Sequence, residues 1–160
     1  MYVNTIANCK DFENSPLNWS QITFDRDPIT KDFSFNIELT VHKEVSKKFG
    51  IEFNIWKCEN EGSLDSCEYF LKEQKNFKIC SYLLDKNQFW SVFTKAFVPP
   101  LVCPIKTGVY KAMKIPFQSS YIRFLPIQQP VIRGRLIGWD DTVKISCVDI
   151  EIVFSTEKRG

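Results

Sequence analysis

The 160-residue chain reads as an all-β domain, an antiparallel sheet structure with one or two short helices in the 64–98 region. Three stretches carry that reading. Phe33, Phe35, Ile37, Leu39 and Val41 alternate with Ser34, Asn36, Glu38, Thr40 and His42. Phe49, Ile51, Phe53 and Ile55 alternate with Gly50, Glu52, Asn54 and Trp56. A period of two puts one face of a strand against apolar surroundings and the other in water. The third stretch is VIRGRLIGW (131–139) and VKISCVDIEIVF (143–154), two β-rich runs meeting at Asp140-Asp141, a hairpin signal.

The remaining elements follow in order. VSKK (45–48) reads as the hairpin connection between the first two runs. LDSCEYFLKEQKNFK (64–78) opens on Asp65 or Ser66 as an N-cap and continues in good helix formers, so it predicts a helix. In the stretch 80–97, Leu83, Leu84, Trp90, Phe93 and Phe97 fall at near-helical intervals, and Pro99-Pro100 stops any helix there. Alternation over 108–125 is less clean, with breaks at Gly108 and Pro116 and a short strand at YIRFL (121–125). In the last run the apolar phase moves from Val143, Ile145 and Cys147 to Val148, Ile150, Ile152 and Phe154. A slip of one residue predicts a β-bulge near Cys147–Val148.

Length fits one domain, spanning residues 1–160, large enough to bury roughly 68–70% of its unfolded surface. The net charge of +2 and the scattered basic residues, without interleaved aromatics, exclude a nucleic-acid partner. No apolar run approaches the roughly 20 residues of a membrane helix. Fourteen phenylalanines are many, and Phe brings large apolar area without a polar handle. Eight large apolar residues gather in NQFWSVFTKAFVPPLV (87–102), where helix core, membrane contact and ligand contact are competing destinations.

Six cysteines at 9, 58, 67, 80, 103 and 147 are even in number and lack the close pairs of a metal site. They read as disulfides formed in an oxidising compartment, with fifteen pairings open. Asn18-Trp19-Ser20 is a glycosylation sequon. Met1 is followed by YVNTIANCKD, which has neither a basic nor an apolar leader region, so the sequence reads as a mature chain. Catalytic chemistry finds no foothold. His42 is the single histidine and sits on the polar face of a strand, Asp140-Asp141 is turn chemistry, and the glycines are dispersed. The expectation is no enzyme, no cofactor and no metal.

One ordered set of features remains. CPIKTGVYKAMKIPFQ (103–118) contains Cys103, Pro104, Ile105, Lys106, Gly108 and Tyr110; Leu125-Pro126 follows, then a closing strand with Cys147. Upstream come NCK at 8–10, IELTVHKEV at 37–45 and the Cys58, Cys67 pair. In this order the chain resembles the MD-2-related lipid-recognition family, most closely its GM2-activator branch, and the resemblance covers nearly the whole chain. It implies a β-cup: an antiparallel β-sandwich opened at one end around a hydrophobic internal cavity. It also implies the bridges Cys9–Cys147, Cys58–Cys67 and Cys80–Cys103. A fourth bridge of that branch has no cysteines here.

The same resemblance implies a non-enzymatic lipid carrier, secreted or lysosomal, that holds acyl chains and presents a glycolipid, phospholipid or fatty acid to a hydrolase or receptor. Each methylene moved from water into such a cavity gains about 0.8 kcal/mol. The expected lipid-lining residues are Phe35, Ile37, Leu39, Val41, Phe49, Ile51, Phe53, Ile55, Tyr110, Phe117 and Leu136. Phe89, Trp90, Phe93, Phe97, Val98 and Leu101 would form the mouth, where Trp90 and Tyr82 suit transient contact with a membrane surface. Lys106, Lys111, Lys114, Arg123, Arg133 and Arg135 are candidates for steering toward anionic lipid, against the reading of a solvated face. Two alternatives stay open: an insect-type chemosensory carrier of a small hydrophobic ligand on the same fold, and a disulfide-bonded β-sandwich interaction protein without a cavity.

Overall fold

A computed structural model describes residues 2–30, 32–60, 64–83, 85, 87, 91–117 and 131–153. The sequence reading of a strand at 121–125 and of the Leu125-Pro126 turn lies outside them, as do Phe89, Trp90 and Arg123.

Among the described residues nine strands form two antiparallel sheets, so the fold is an all-β sandwich. They are β1 (Tyr2–Asn8), β2 (Leu17–Arg26), β3 (Phe33–Val41), β4 (Phe49–Cys58), β5 (Cys67–Asn76), β6 (Phe97–Val98), β7 (Gly108–Phe117), β8 (Val131–Asp140) and β9 (Val143–Val153). The first sheet runs β1-β9-β8-β4-β5 and the second β2-β3-β7-β6. Two short helices, α1 (Ile79–Tyr82) and α2 (Ser91–Lys95), stand between β5 and β6.

The two most regular strands are not a hairpin. β3 pairs with β2 and β7, and β4 with β5 and β8, so residues 42–48 carry the chain from one sheet to the other. That crossover is tied near its middle, at Val45 and Ser46. Val45 and Ile105 exchange backbone hydrogen bonds of 2.9 and 2.8 Å. The Ser46 backbone and hydroxyl both donate to the Asp140 carboxylate. Asp140-Asp141 is therefore turn chemistry, with Asp141 at φ 56 and its carboxylate 3.7 Å from Lys48 Nζ.

The helix expected over 64–78 is a 3-10 turn at Leu64–Ser66 followed by strand β5. Tertiary pairing overrides propensity here. Cys67 lies directly across from Cys58 and is bonded to it, which pins the segment to the edge of β4. The strand bulges at Glu73 (φ 51), whose amide donates to the buried Asn54 side chain at 3.0 Å. Pro116 does not break its strand either. β7 continues through it opposite Ser34, and the irregularity falls at Lys114 (φ 53), whose amide donates to Asn36 Oδ1.

The bulge in the last strand is real but lies two residues earlier than expected. Gly138 pairs with Ser146 and Trp139 with Lys144, which leaves Ile145 as the extra residue. Ile145 turns into the core, and Cys147 falls on the opposite face, where it meets Cys9. All six cysteines are bridged as Cys9–Cys147, Cys58–Cys67 and Cys80–Cys103. Three disulfides indicate folding in an oxidising compartment. No described helix is long and apolar enough to cross a membrane.

The β2–β3 turn is built on Asp27, which accepts from the Ile29 and Thr30 amides at 2.8 and 2.9 Å. The Thr30 amide first, and Ile29 second, hold its carboxyl below the ordinary aspartate value. A depressed folded value means that the carboxylate supports the turn at neutral pH and loses that role as pH falls through the folded value. An NMR titration should give Asp27 a midpoint below the ordinary aspartate value; a midpoint at or above it would contradict the capping role.

Candidate functional site

Which face of each sheet looks inward follows from the register. In the second sheet, Leu17, Trp19, Phe24, Phe35, Leu39, Val41 and Tyr110 share one face. In the first, Phe49, Ile51, Phe53 and Ile55 share a face with Leu136, Val148, Ile150 and Asn8. Asn8 reaches across to the Trp19 backbone and Phe49 packs on the core of the second sheet, so this face points between the sheets.

At one end the space between the sheets is filled. Leu17, Ile37, Leu39, Val41, Val45, Leu83, Phe97, Leu101, Ile105, Tyr110, Ala112, Ile115 and Ile145 form one buried cluster. Ile145 is the one fully buried member from the first sheet. The Tyr110 hydroxyl donates to the Lys106 carbonyl at 2.8 Å, so it is a satisfied core residue.

Toward the other end the packing loosens. Ile51, Ile55, Leu136 and Ile150 are half-buried, and Phe53 is 38% exposed although it points inward. Across from them, Ile22, Phe33 and Phe35 are half-buried and Phe24 is 38% exposed. On β4 the burial is inverted: outward-facing Gly50, Glu52, Asn54 and Cys58 are buried, and inward-facing Phe49, Ile51, Phe53 and Ile55 are not. In a solid sandwich the inward face would be the drier one.

Two glycines on the inner face of β8 mark the same gradient. A Cβ added at Gly138, near the filled end, would collide with the Ser146 hydroxyl. Among the described residues, a Cβ added at Gly134 would find nothing nearer than the Asn54 carbonyl at 3.9 Å. Helix α2 reaches into the interior through Phe93, which stacks on Phe35 (6.0 Å) and lies edge-on to Phe97 (5.2 Å). With Phe24 6.0 Å from Phe35, a row of rings runs from the loose end to the filled one.

The two sheets also part along one side. The edge strands β1 and β2 are clasped by Asn8, whose amide donates to the Trp19 carbonyl at 2.7 Å and whose oxygen accepts from the Trp19 amide at 3.3 Å. Beyond the clasp both strands lose register, β1 between Val3 and Thr5 and β2 between Ser20 and Thr23, with Gln21 at φ 52. A recess of about 350 Å3 opens there, lined by Asn4, Thr5, Ile6, Ala7, Ile22 and Phe24. Asn8→Ala removes both bonds of the clasp and should cost about 1–3 kcal/mol, read as a lower denaturation midpoint. An unchanged midpoint would mean that the clasp is incidental.

The outer face of the first sheet is a ladder of paired charges and rings. Arg135 holds Asp149 through two bonds of 2.7 and 3.1 Å, which raises the already high value of the guanidinium. Arg133 lies 3.2 Å from the buried Glu151. Glu52 is held by Lys75 (3.7 Å), Asn54 (2.9 Å) and Trp139 (3.3 Å). Lys111 lies 4.0 Å from Glu38 across β3 and β7. Arg133, Arg135 and Lys111 thus have carboxylate partners within the fold, while Lys106 and Lys114 are exposed. One group of three metal-capable residues exists among the described residues, Cys9, Cys147 and Asp149; both sulfurs are in the disulfide.

The residues nominated from sequence divide into three groups. Ile37, Leu39, Val41, Phe97, Leu101 and Tyr110 lie in the filled end, with Phe35, Phe49 and Phe93 packed against it. Ile51, Phe53, Ile55 and Leu136 line the loose part. Val98 points outward from β6 and is 73% exposed. The side chain of Phe117, like Phe89 and Trp90, lies outside the described residues. Asn18 faces outward on β2, its amide donating to the Glu13 carbonyl at 2.8 Å. None of the nominated residues lines the side recess. Ile6, Ile22 and Phe24 were missed because YVNTIAN and SQITF are short runs with a bulge in each, which blurs their alternation. Compared with models of known protein families and with curated proteins, the chain matches none.

Proposed function

We propose that the chain is a non-enzymatic lipid carrier of the MD-2-related lipid-recognition family, in its GM2-activator branch, working in a secreted or lysosomal setting. The observation that carries this reading is the inverted burial of β4, whose apolar inward face is wetter than its outward face. An apolar surface left open between two sheets costs free energy, and a chain of methylenes would offset it at about 0.8 kcal/mol each. Gly134 leaves room where the opposite sheet would otherwise press, and the Phe24–Phe35–Phe93 row offers a continuous apolar wall. The filled end provides the rigid floor. A glycan on Asn18 would stand on the outer face, clear of this space.

The size of the recess favours the small-ligand form of this reading, since about 350 Å3 lies at the low end of the 300–1,000 Å3 usual for ligand sites. The direct test is native mass spectrometry of the gently purified protein, followed by lipid transfer between donor and acceptor liposomes. The expected result is a co-purified lipid and protein-dependent transfer. A protein that carries nothing and moves nothing would refute the proposal.

A further inference from the structure

We infer that the ligand is a long-chain carboxylate whose head is held by Arg26 at the rim of the loose end, with its chain lying inward over Phe24 and Phe35. The inference rests on the carrier reading and adds the chemical class of the ligand and the residue that selects it. The register places Arg26. It stands across from Phe33 as Phe24 stands across from Phe35, so Arg26 and Phe24 share the inward face of β2. Phe24 lies 6.0 Å from the Phe35 ring, and the Arg26 guanidinium lies 5.2 Å over the Phe33 ring. Along that face the side chains run from buried Leu17 through half-buried Trp19 to exposed Phe24 and Arg26, and the charge comes only at the exposed end. An amphiphile with its tail inward has the same polarity.

The cation is uncommitted. Among the described residues Arg26 has no ion-pair partner, whereas Lys48, Lys75, Lys111, Arg133 and Arg135 each have one. Its acidic neighbours in sequence are engaged elsewhere. Asp25 accepts from Asn36 on the outer face at 3.3 Å, and Asp27 caps the β2–β3 turn through the Ile29 and Thr30 amides. Lys57 is the contrasting cation, on the inward face of β4 at the same end, across from Ile132. Glu68 is its cross-strand partner, and it shares a recess with Glu59, Asp65 and Glu68, so acidic groups surround it.

The head-group chemistry follows from the donor. A guanidinium presents a planar fork of N–H groups that fits a carboxylate through two parallel bonds, and its place over the Phe33 ring restrains the fork. One cation balances one negative charge, which a carboxylate carries and a phosphate monoester exceeds. Behind the head, Phe24 and Phe35 on one sheet and Phe53 on the other are apolar and incompletely buried, so they suit hydrocarbon and offer nothing to a second polar group.

The test uses the intact, disulfide-bonded protein with radiolabelled oleate and oleyl alcohol, which share a chain and differ in head charge. The expected result at low salt is that wild type binds oleate about tenfold more tightly than oleyl alcohol, the size of a hydrogen bond to a charged group. Added salt should shrink that preference. Arg26→Gln should weaken oleate about tenfold and leave oleyl alcohol unchanged, and Arg26→Lys should keep part of the preference, with folding of both verified by circular dichroism. Wild type binding oleyl alcohol as tightly as oleate, a preference that salt leaves untouched, or a folded Arg26→Gln that retains it would each overturn the head assignment and leave the carrier reading standing. If wild type binds neither ligand, the head assignment falls, and the carrier reading falls with it when lipid transfer between liposomes is also absent.

Discussion

Gly134→Phe is expected to abolish lipid uptake and leave the protein folded. Gly134 lies in the middle of β8, a strand with neighbours on both sides, where a glycine ordinarily weakens the sheet by roughly 0.5–1 kcal/mol relative to alanine. Among the described residues its inward direction is open, so a side chain meets no steric penalty from them at Cβ. The ring would fall between Ile55 and Ile150, its cross-strand partners, and occupy the space proposed for the acyl chain. The melting temperature should stay level or rise, while bound lipid and transfer between liposomes fall to background. Gly138→Ala is the contrasting case. It lies on the same face of the same strand, but an added carbon would strike Ser146, so this variant should lose stability. If Gly134→Phe unfolds the protein while Gly138→Ala is harmless, the assignment of loose and filled ends is reversed.

The second large effect concerns Cys9–Cys147. It closes 138 residues and ties β1 to β9, next to the Asn8 clasp. In the loop-entropy account such a closure stabilises by about 5 kcal/mol, against about 3.5 for Cys80–Cys103 and about 2.5 for Cys58–Cys67. Total stabilities of domains run about 5–15 kcal/mol, so the double variant Cys9→Ser with Cys147→Ser should lower the melting temperature by about 10–20 °C. The other two double variants should cost less, in the order of their loop lengths. A loss from the Cys58, Cys67 pair that exceeds that from the Cys9, Cys147 pair would contradict the entropic account and point to packing around Cys58 instead.

Strand identity was legible where alternation was strict and long. The runs 33–41 and 49–55 lie in strands β3 and β4 because four or five alternating apolar residues fix a face on their own, and the runs flanking Asp140-Asp141 give β8 and β9. Strand pairing was not legible. β3 and β4 look like a hairpin across four residues, yet the sheets they join are decided by Val45 with Ile105 and by Ser46 with Asp140, contacts distant in sequence. The 64–78 segment failed for a related reason: its helix formers yield to the Cys58–Cys67 link. The three bridges agree with the pairing that the family resemblance implied. For the site, strand parity put Ile51, Phe53 and Ile55 on one face, and the register turns that face between the sheets, but parity cannot say how tightly two inward faces pack. Leu39 and Phe53 both face inward, yet Leu39 is buried and Phe53 is 38% exposed.

The aromatic segment 87–102 also resolves in part. Phe93, Phe97 and Leu101 are packing residues, so Phe93→Ala would damage the interior and is a poor probe of membrane contact. Val98 and Val102 point outward and are the exposed apolar positions of that segment among the described residues.

The central claim is that the space between Phe53 and Gly134 on one sheet and Phe35 on the other accepts an apolar chain. A crystal structure of the protein loaded with a bromine-labelled acyl chain tests it most directly. The account predicts anomalous bromine density between those three residues. Side chains meeting there with no bromine between them would contradict it.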